Sequence, residues 1–424
     1  MIRALALRSP ARAAMCRAVG TTSVVGREPL LFTPGPLTTS AAVKQAMLVD
    51  YGSRDPAFIS LVQECRDGLL AMAGTSQAAG YECVLMQGSG TFAIESVVGS
   101  VVPPPEAGGR ILVCSNGAYG DRMAEMCQYY GIDHELLRFG EREMVCPDAV
   151  AAALAGEGEG GAAPFTHVGC IHHETTAGTL NDIPAIGAAV AAHTHSGSGA
   201  AAAAAVAPTF IVDSMSGFGA YDLDLAGCHV HYLVSSSNKN IEGVPGFAFA
   251  LCDRARLEAQ GGHARSLALD LRKQWQGLEK SGQFRFTPPT HSLVAFRQAL
   301  AEHEAEGGVA GRRARYEANA AVLKHGLGEM GFGLYVAPEA QGAIISTFLF
   351  PDDAAFDFEV FYNRLAELGI VIYPGKLTDA DCFRIGSIGR LFEKDMLHMV
   401  NSVRFVLEEM GVALPVTQIK VETN

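Results

Sequence analysis

A lysine and an aspartate, each following an apolar run, are the residues of this sequence best suited to chemistry. Lys239 comes after the run HVHYLV and a short serine-asparagine stretch, and it precedes the glycine-rich turn EGVPG. Asp213 ends an earlier apolar run, TFIVD. A lysine amine can form a Schiff base with an aldehyde, and a carboxylate can hold a proton on a pyridine nitrogen so that the ring withdraws electrons. The pair therefore predicts an enzyme that uses pyridoxal 5'-phosphate.

A small glycine-containing turn offers a site for the phosphate of that cofactor. Ser89, Gly90 and Thr91 lie between a predicted buried strand, CVLMQ, and a predicted helix start. Glycine lets the backbone approach an anion, and the first amides of a helix favour phosphate. Taken alone, the turn could equally be an ordinary strand-to-helix connection with a serine or threonine cap. It lacks the third glycine and the spaced acidic residue of a dinucleotide-binding fingerprint, which disfavours a dinucleotide-dependent oxidoreductase.

The composition excludes several classes of protein. The chain has 424 residues, of which 49% are hydrophobic and 18% charged, and its net charge is -13. Such a charge argues against a nucleic-acid surface, and the lack of about 18 consecutive apolar residues predicts no membrane span. His193 and His195 stand beside an alanine tract without placeable further ligands, so we predict a surface loop at about residues 196–207 and no metal site.

The first 27 residues have the composition of a targeting segment. They contain five arginines and many alanines, and no acidic residue precedes Glu28. This composition predicts a presequence that targets the protein to an organelle, most simply the mitochondrion. A disordered, alanine-rich extension on a cytoplasmic protein is the alternative.

Apolar runs alternate with amphipathic stretches from Glu82 onward, which is typical of βα units on a mostly parallel sheet. The helical content rises after Leu267, and three further strand-like runs follow. We therefore predict an α/β fold with a large, doubly wound domain over residues 28–290, including an N-terminal arm. A smaller C-terminal α/β domain would cover residues 291–424.

Several blocks of the sequence make it recognisable, among them SNGAYGDRM, NKNIEGVPGFAF and DCFRIGSIG. Over about residues 29–412 the chain resembles the class V aminotransferases, which are fold-type I pyridoxal phosphate enzymes. The blocks are most similar to members that use 2-aminoethylphosphonate as the amino donor and pyruvate as the acceptor. The resemblance implies those small-molecule substrates and a homodimer with shared active sites.

The resemblance also implies roles for individual residues. Lys239 matches the Schiff-base lysine, Asp213 matches the partner of the pyridine nitrogen, and the turn from Ser89 to Thr91 matches the phosphate cup. Met123 falls where the family packs a side chain against the cofactor ring. Thr176 matches a residue that bonds near the 3-hydroxyl group of the cofactor. A further threonine, Thr287, matches a residue that the neighbouring subunit lends to the phosphate.

Two arginines are candidates for substrate binding. Arg384, in CFRIG, can hold a carboxylate or phosphonate through two parallel hydrogen bonds, which a lysine cannot reproduce. A surface arginine in an ion pair is the alternative interpretation. Arg54, in YGSRD, is a second candidate anion contact.

The sequence is also compatible with two other functions. An alanine–glyoxylate or serine–pyruvate aminotransferase of the same class would differ only in its anion pocket. A catalytically silent scaffold could keep the fold for dimerisation, although the intact lysine, aspartate and phosphate turn count against it.

Overall fold

The computed structural model describes residues 28–156, 163–196, 205–374 and 380–419. The predicted leader, residues 1–27, and the centre of the alanine-rich insertion, residues 197–204, lie outside the described residues. Within the described part, no helix is long and apolar enough to cross a bilayer.

The strands are short, and those of the central sheet are mostly buried runs of apolar residues. In chain order they are β1 (Leu30–Leu31), β2 (Tyr81–Gln87), β3 (Arg110–Ser115), β4 (Asp133–Arg138), β5 (His167–Ile171), β6 (His173–Glu174), β7 (Thr179–Leu180), β8 (His195–Ser196), β9 (Ala205–Val206), β10 (Thr209–Asp213), β11 (Tyr232–Ser236), β12 (Phe247–Asp253), β13 (Ile345–Leu349), β14 (Ile370–Val371), β15 (Tyr373–Pro374) and β16 (Cys382–Gly386).

The helices mostly follow the strands as crossovers, and four of them are capped by an aspartate at the N-terminus. In chain order they are α1 (Ala41–Ala46), α2 (Pro56–Met72), α3 (Gly90–Val101), α4 (Ala118–Tyr129), α5 (Pro147–Ala155), α6 (Ile183–Ala192), α7 (Arg254–Gln260), α8 (Leu271–Ser281), α9 (Thr290–Ala305), α10 (Gly308–Glu329), α11 (Phe358–Glu367) and α12 (Glu393–Met410).

A seven-stranded sheet forms the centre of the larger core, in the order β2-β12-β11-β10-β5-β3-β4. Six strands share one direction, while β12 runs antiparallel to both of its neighbours. Several inner strands, such as β5, β10 and β11, are buried along their whole length, because helices cover both faces. This confirms the predicted α/β fold with a mostly parallel sheet.

The direction of the strands decides where functional loops can lie. Because the carboxyl ends of parallel strands meet at one edge, the segments that follow β2, β3, β5, β10 and β11 converge there. These segments begin at residues 88, 116, 172, 214 and 237, and they contain most of the candidate residues.

A second core lies among the C-terminal elements. A three-stranded sheet, β13-β16-β15, packs with α10, α11 and α12 around buried side chains such as Phe383 and Met399. The N-terminal arm joins this core, since β1 pairs with β14 and Phe32 is buried in it. Conversely, Phe296 of α9 lies beyond the predicted boundary but packs in the larger core. The predicted domain boundary near residue 290 stays a prediction.

Candidate active site

Asp213 and Lys239 lie at the same edge of the sheet. Asp213 is the last residue of β10, which pairs in parallel with β11, and Lys239 follows β11 by three residues. The Asp213 carboxylate is buried and accepts a hydrogen bond of 2.9 Å from the amide of Met215. Burial raises the pKa of Asp213 to about 6, although the Met215 amide and the positive charges of Lys239 and Arg122 oppose the rise.

The amine of Lys239 is held beside the N-terminal arm. Its Nζ donates to the carbonyl of Pro34 at 2.7 Å. A Cβ atom on Gly35 would lie 2.9 Å from Cδ and 3.0 Å from Nζ of the lysine, and φ of Gly35 is 125°, so only glycine fits there. Burial lowers the pKa of Lys239 to about 8, while Asp213 raises it and Arg384 lowers it further.

A small cavity opens in front of Asp213. Its lining is mostly apolar and includes three methionines and the start of α3, namely Thr91, Ile94, Tyr119, Arg122, Met123, Met126, Asp213 and Met215. Met123 is buried, and a Cβ on Gly169 would lie 2.4 Å from its sulfur, so glycine in β5 makes room for this side chain. The structure thus brings Met123, Thr91 and Asp213 to one cavity.

The turn of Ser89, Gly90 and Thr91, called the phosphate turn below, forms the N-terminus of α3. Ser89 is the N-cap residue in an extended conformation, but its side chain makes no capping hydrogen bond. The first amides of a helix have no partners within the helix, so those of Gly90 and Thr91 are oriented to bind an anion. A Cβ on Gly90 would lie 2.3 Å from the sulfur of Met215, which fixes glycine at this position.

Thr176 is buried, and its hydroxyl group is bonded to a carboxylate. Both its amide and its hydroxyl group donate to Glu174, and the amide of Tyr119 at the start of α4 donates to the same carboxylate at 3.1 Å. Burial raises the pKa of Glu174 to about 7, although these hydrogen bonds oppose the rise. Glu174 is not among the residues predicted from the sequence, where its only signal is an acidic residue just after a buried strand.

Arg384 lies in the middle of β16 with 8% of its surface exposed. The guanidinium donates to the carbonyl of Thr175 at 3.0 Å and to that of Pro374 at 2.9 Å. Both partners are neutral, and within the described residues no carboxylate forms an ion pair with it. Burial lowers the pKa of Arg384. Among the described residues the arginine is therefore a buried cation without an ion-pair partner, and it is not the exposed arginine of the alternative interpretation.

Of the candidate residues, only Thr91, Met123 and Asp213 line this cavity, and two of the others are exposed. Arg54 is exposed on the turn before α2. Thr287 is exposed as well, and its carbonyl accepts a hydrogen bond of 3.2 Å from the side chain of Gln87, the last residue of β2. Thr287 thus lies close to the strand that leads into the phosphate turn of its own chain.

The residues present fit a phosphorylated pyridine aldehyde. A half-buried amine with a lowered pKa, a buried carboxylate at the cavity and unpaired helix amides are the three groups that such a cofactor requires. The small, mostly apolar cavity lining suits the face of an aromatic ring.

The fold matches that of solved aminotransferases. An alanine–glyoxylate aminotransferase from Nostoc aligns with a TM-score of 0.79 at 22% identity, over 95% of this chain and 100% of that one. At this identity the likeness shows the fold alone. The architecture is thus that of fold-type I aminotransferases.

A closer relationship comes from the sequence. The model of the family described as "Aminotransferase class-V" matches residues 51–378, and the chain belongs to that family. The 2-aminoethylphosphonate–pyruvate transaminase of Salmonella typhimurium is 43% identical over 383 residues, which cover 90% of this chain and 98% of the relative. That of Syntrophobacter fumaroxidans is also 43% identical, with 90% and 97% covered. The chain is therefore an aminotransferase, and its family implies pyridoxal phosphate as the cofactor.

The raised pKa of Glu174 predicts a pH-dependent stability. Between its ordinary pKa of 4.5 and about 7, the folded protein keeps a proton that the unfolded chain releases, so this group destabilises the fold as pH rises through that window. Glu174→Gln cannot ionise. Its free energy of unfolding should therefore rise relative to wild type, by up to about 3 kcal/mol between about pH 5 and about pH 8. Denaturant unfolding of cofactor-free protein measures the difference.

An exposed acidic residue of α4 provides the control for that measurement. Glu125→Gln should show the same difference from wild type at both pH values. A pH-independent difference for Glu174→Gln would contradict the prediction.

Proposed function

We propose that this chain transfers the amino group of 2-aminoethylphosphonate to pyruvate, which yields phosphonoacetaldehyde and L-alanine. The observation that carries the proposal is the 42–43% identity, over 89–90% of this chain, to relatives named for that reaction. The buried cation at Arg384 supports an anionic substrate.

The positions of the residues support the following roles. When bound, pyridoxal phosphate supplies an electron sink for negative charge on the amine-bearing carbon of the substrate. Lys239 Nζ takes the proton from that carbon, because burial lowers its pKa to about 8 and leaves part of the amine neutral at physiological pH. Asp213 holds a negative charge for the ring nitrogen. The amides of Gly90 and Thr91 bind the phosphate.

Arg384 orients the other end of the substrate. Its planar guanidinium can form two parallel bonds to the phosphonate of the donor or the carboxylate of pyruvate. The carbonyls of Thr175 and Pro374 hold the guanidinium in place. Since both are neutral, the substrate supplies the counter-charge.

The substrate assignment is tested by comparing amino donors. Purified enzyme is assayed with 2-aminoethylphosphonate, serine and alanine as donors, and with pyruvate and glyoxylate as acceptors. The proposal requires that kcat/KM be highest for 2-aminoethylphosphonate with pyruvate. Preference for alanine with glyoxylate, or for serine with pyruvate, would establish the alternative aminotransferases instead. Absence of turnover with every pair would favour the silent scaffold.

The lowered pKa of Lys239 predicts how the cofactor-free enzyme captures the aldehyde. The neutral amine is the nucleophile, so the rate of uptake should rise with pH and level off above a midpoint near 8. The initial rate of the visible absorbance change on adding pyridoxal phosphate measures it. Asp213→Asn should lower the midpoint, because Asp213 raises the pKa of the lysine. A midpoint near 10.5, the ordinary value for lysine, would contradict the prediction.

We propose further that two copies of the chain form a homodimer with shared sites. Phe92 and Phe286 are 50% and 46% exposed and flank the end of β2, where apolar exposure favours a protein contact. Thr287 and Arg54 are exposed in the single chain, so they are free to serve the partner.

Mixed dimers test the sharing of sites. Lys239→Ala and Thr287→Asp should each be inactive, the second because a carboxylate repels the phosphate. Co-expression of the two variants should restore activity, since one site of the mixed dimer then has both native residues. Continued inactivity of the mixture would contradict shared sites.

The composition of residues 1–27 supports import into the mitochondrion. Sequencing the N-terminus of the native protein tests this proposal, since an intact Met1 would defeat it.

A further inference from the structure

A buried group of charges connects the lysine segment with α10. Glu242, three residues after Lys239, is 3% exposed and accepts from Arg315 at 2.7 Å and from the Tyr316 hydroxyl group at 2.7 Å. Arg312, which is 1% exposed, lies 3.4 Å from Glu242 and also donates to the carbonyl of Asn240. These α10 side chains are at positions i, i+3 and i+4, so they form one face of the helix.

The backbone of Glu242 needs such support. Its φ is 63°, in the left-handed region that a side chain with a Cβ rarely adopts. Its amide donates to the carbonyl of Lys239 at 2.7 Å, which closes a turn from the lysine to Glu242. The conformation of the Lys239 backbone and the contacts of the Glu242 side chain are therefore coupled through this turn.

The same face of α10 also holds the segment that follows β16. Arg315 donates to the carbonyl of Leu391 at 3.0 Å, and the Tyr316 hydroxyl group accepts from the amide of Gly389 at 3.3 Å. Asn319, one turn along α10, donates to the carbonyl of Ser387 at 3.0 Å. Residues 387–391 directly follow the strand that contains Arg384. One helix face thus contacts both the turn from Lys239 to Glu242 and the segment that directly follows β16.

We propose that Glu242 is a positioning residue for Lys239, which it fixes relative to Arg384 through Arg315 and Tyr316 of α10. This inference rests on the proposed function, in which Lys239 is the reacting amine. A second acidic residue, Glu306, accepts from Arg312 and Arg315 at 2.9 and 2.6 Å, so two arginines face two carboxylates. The charges balance, and loss of Glu242 leaves a buried arginine partly uncompensated.

The structure contains a matched control. Glu82 is 1% exposed and also lies between two arginines, at 3.3 Å from Arg66 and 2.6 Å from Arg254. It is at the start of β2, the end of the strand away from the phosphate turn. Glu82→Gln should therefore lower stability as Glu242→Gln does, without moving the lysine.

The experiment measures the pH midpoint of aldehyde uptake by cofactor-free enzyme. Among the described residues, the charges of Asp213 and Arg384 act on the pKa of the lysine amine, and the lysine in turn lowers the pKa of His173. If the turn loosens, the amine becomes more solvated, so its midpoint should move upward by about one pH unit in Glu242→Gln. Glu82→Gln should keep the wild-type midpoint. A Glu242→Gln midpoint equal to wild type, or an equal shift in Glu82→Gln, would overturn the inference.

Two further measurements test the inference if Glu242→Gln does not fold and separate it from the proposed function. Tyr316→Phe removes one hydrogen bond to Glu242 without a change of charge, and it should shift the midpoint in the same direction by a smaller amount. If Glu242→Gln does not fold, an unshifted Tyr316→Phe overturns the inference by itself. Borohydride trapping on the wild type separates the two proposals: a label on an amine other than Lys239 refutes the proposed function, whereas a label on Lys239 with unshifted variants refutes only the role of Glu242.

Discussion

Replacing Lys239 with alanine is expected to abolish transamination, with kcat lowered by about 10⁴-fold or more. The variant loses both the amine that binds the aldehyde and the base that moves the proton of the substrate. The half-buried position of Lys239, its pKa of about 8 and its closeness to Asp213 support this role. Steady-state rates and borohydride labelling followed by peptide mapping measure the two losses separately.

A second partly buried lysine serves as the control for this variant. The pKa of Lys324, on α10, is also lowered by burial, but the charges of Asp213 and Arg384, which act on Lys239, are not among its causes. Lys324→Ala should retain wild-type kcat and labelling at Lys239. Turnover by Lys239→Ala above about one per cent of wild type would refute the assigned role.

Arg384→Lys is expected to lower kcat/KM for 2-aminoethylphosphonate by about 100-fold while the affinity for pyridoxal phosphate changes little. Lysine keeps the charge, but it cannot form the two parallel bonds of the guanidinium, and hydrogen bonds to charged groups contribute about 1.5–3 kcal/mol each. Initial rates give the first quantity, and titration of cofactor-free protein gives the second.

A neighbouring arginine separates this effect from a general loss of structure. Arg390 is half-buried on the segment after β16 and lies over the ring of Phe392. Arg390→Lys should leave both quantities within about twofold of wild type, as is usual away from a site. An equal loss of substrate use and cofactor affinity in Arg384→Lys would indicate that Arg384 is structural.

The sequence predicted those parts of the site that follow directly from strand ends. Asp213 closes an apolar run and Lys239 follows the next one, and parallel pairing of β10 with β11 brings the two together. Ser89 to Thr91 likewise follow a buried strand and begin a helix. Such positions depend on local patterns and on one general property of parallel sheets, so a single sequence is sufficient for them.

Other parts depend on contacts between distant segments. The hydrogen-bond partners of Glu242 on α10 are 73 and 74 residues away, and the helix pattern GRRARYEANAAV does not show which of its arginines turn inward. In the sequence, Glu174 is a single acidic residue in HHETTAG, and only the structure shows its hydrogen bonds to Tyr119 and Thr176. The positive φ of Glu242 has no sequence signal at all, because glutamate rarely adopts it.

The N-terminal arm sets a limit on how many N-terminal residues can be removed from this chain. Removal of residues up to Glu28 leaves β1, but a cut beyond Leu31 would delete the strand that pairs with β14. A cut beyond Pro34 would also remove Phe32 from the second core and the carbonyl that accepts from Lys239. A processing protease that removes a leader must therefore cleave before Leu30, and a shortened recombinant form must start there too.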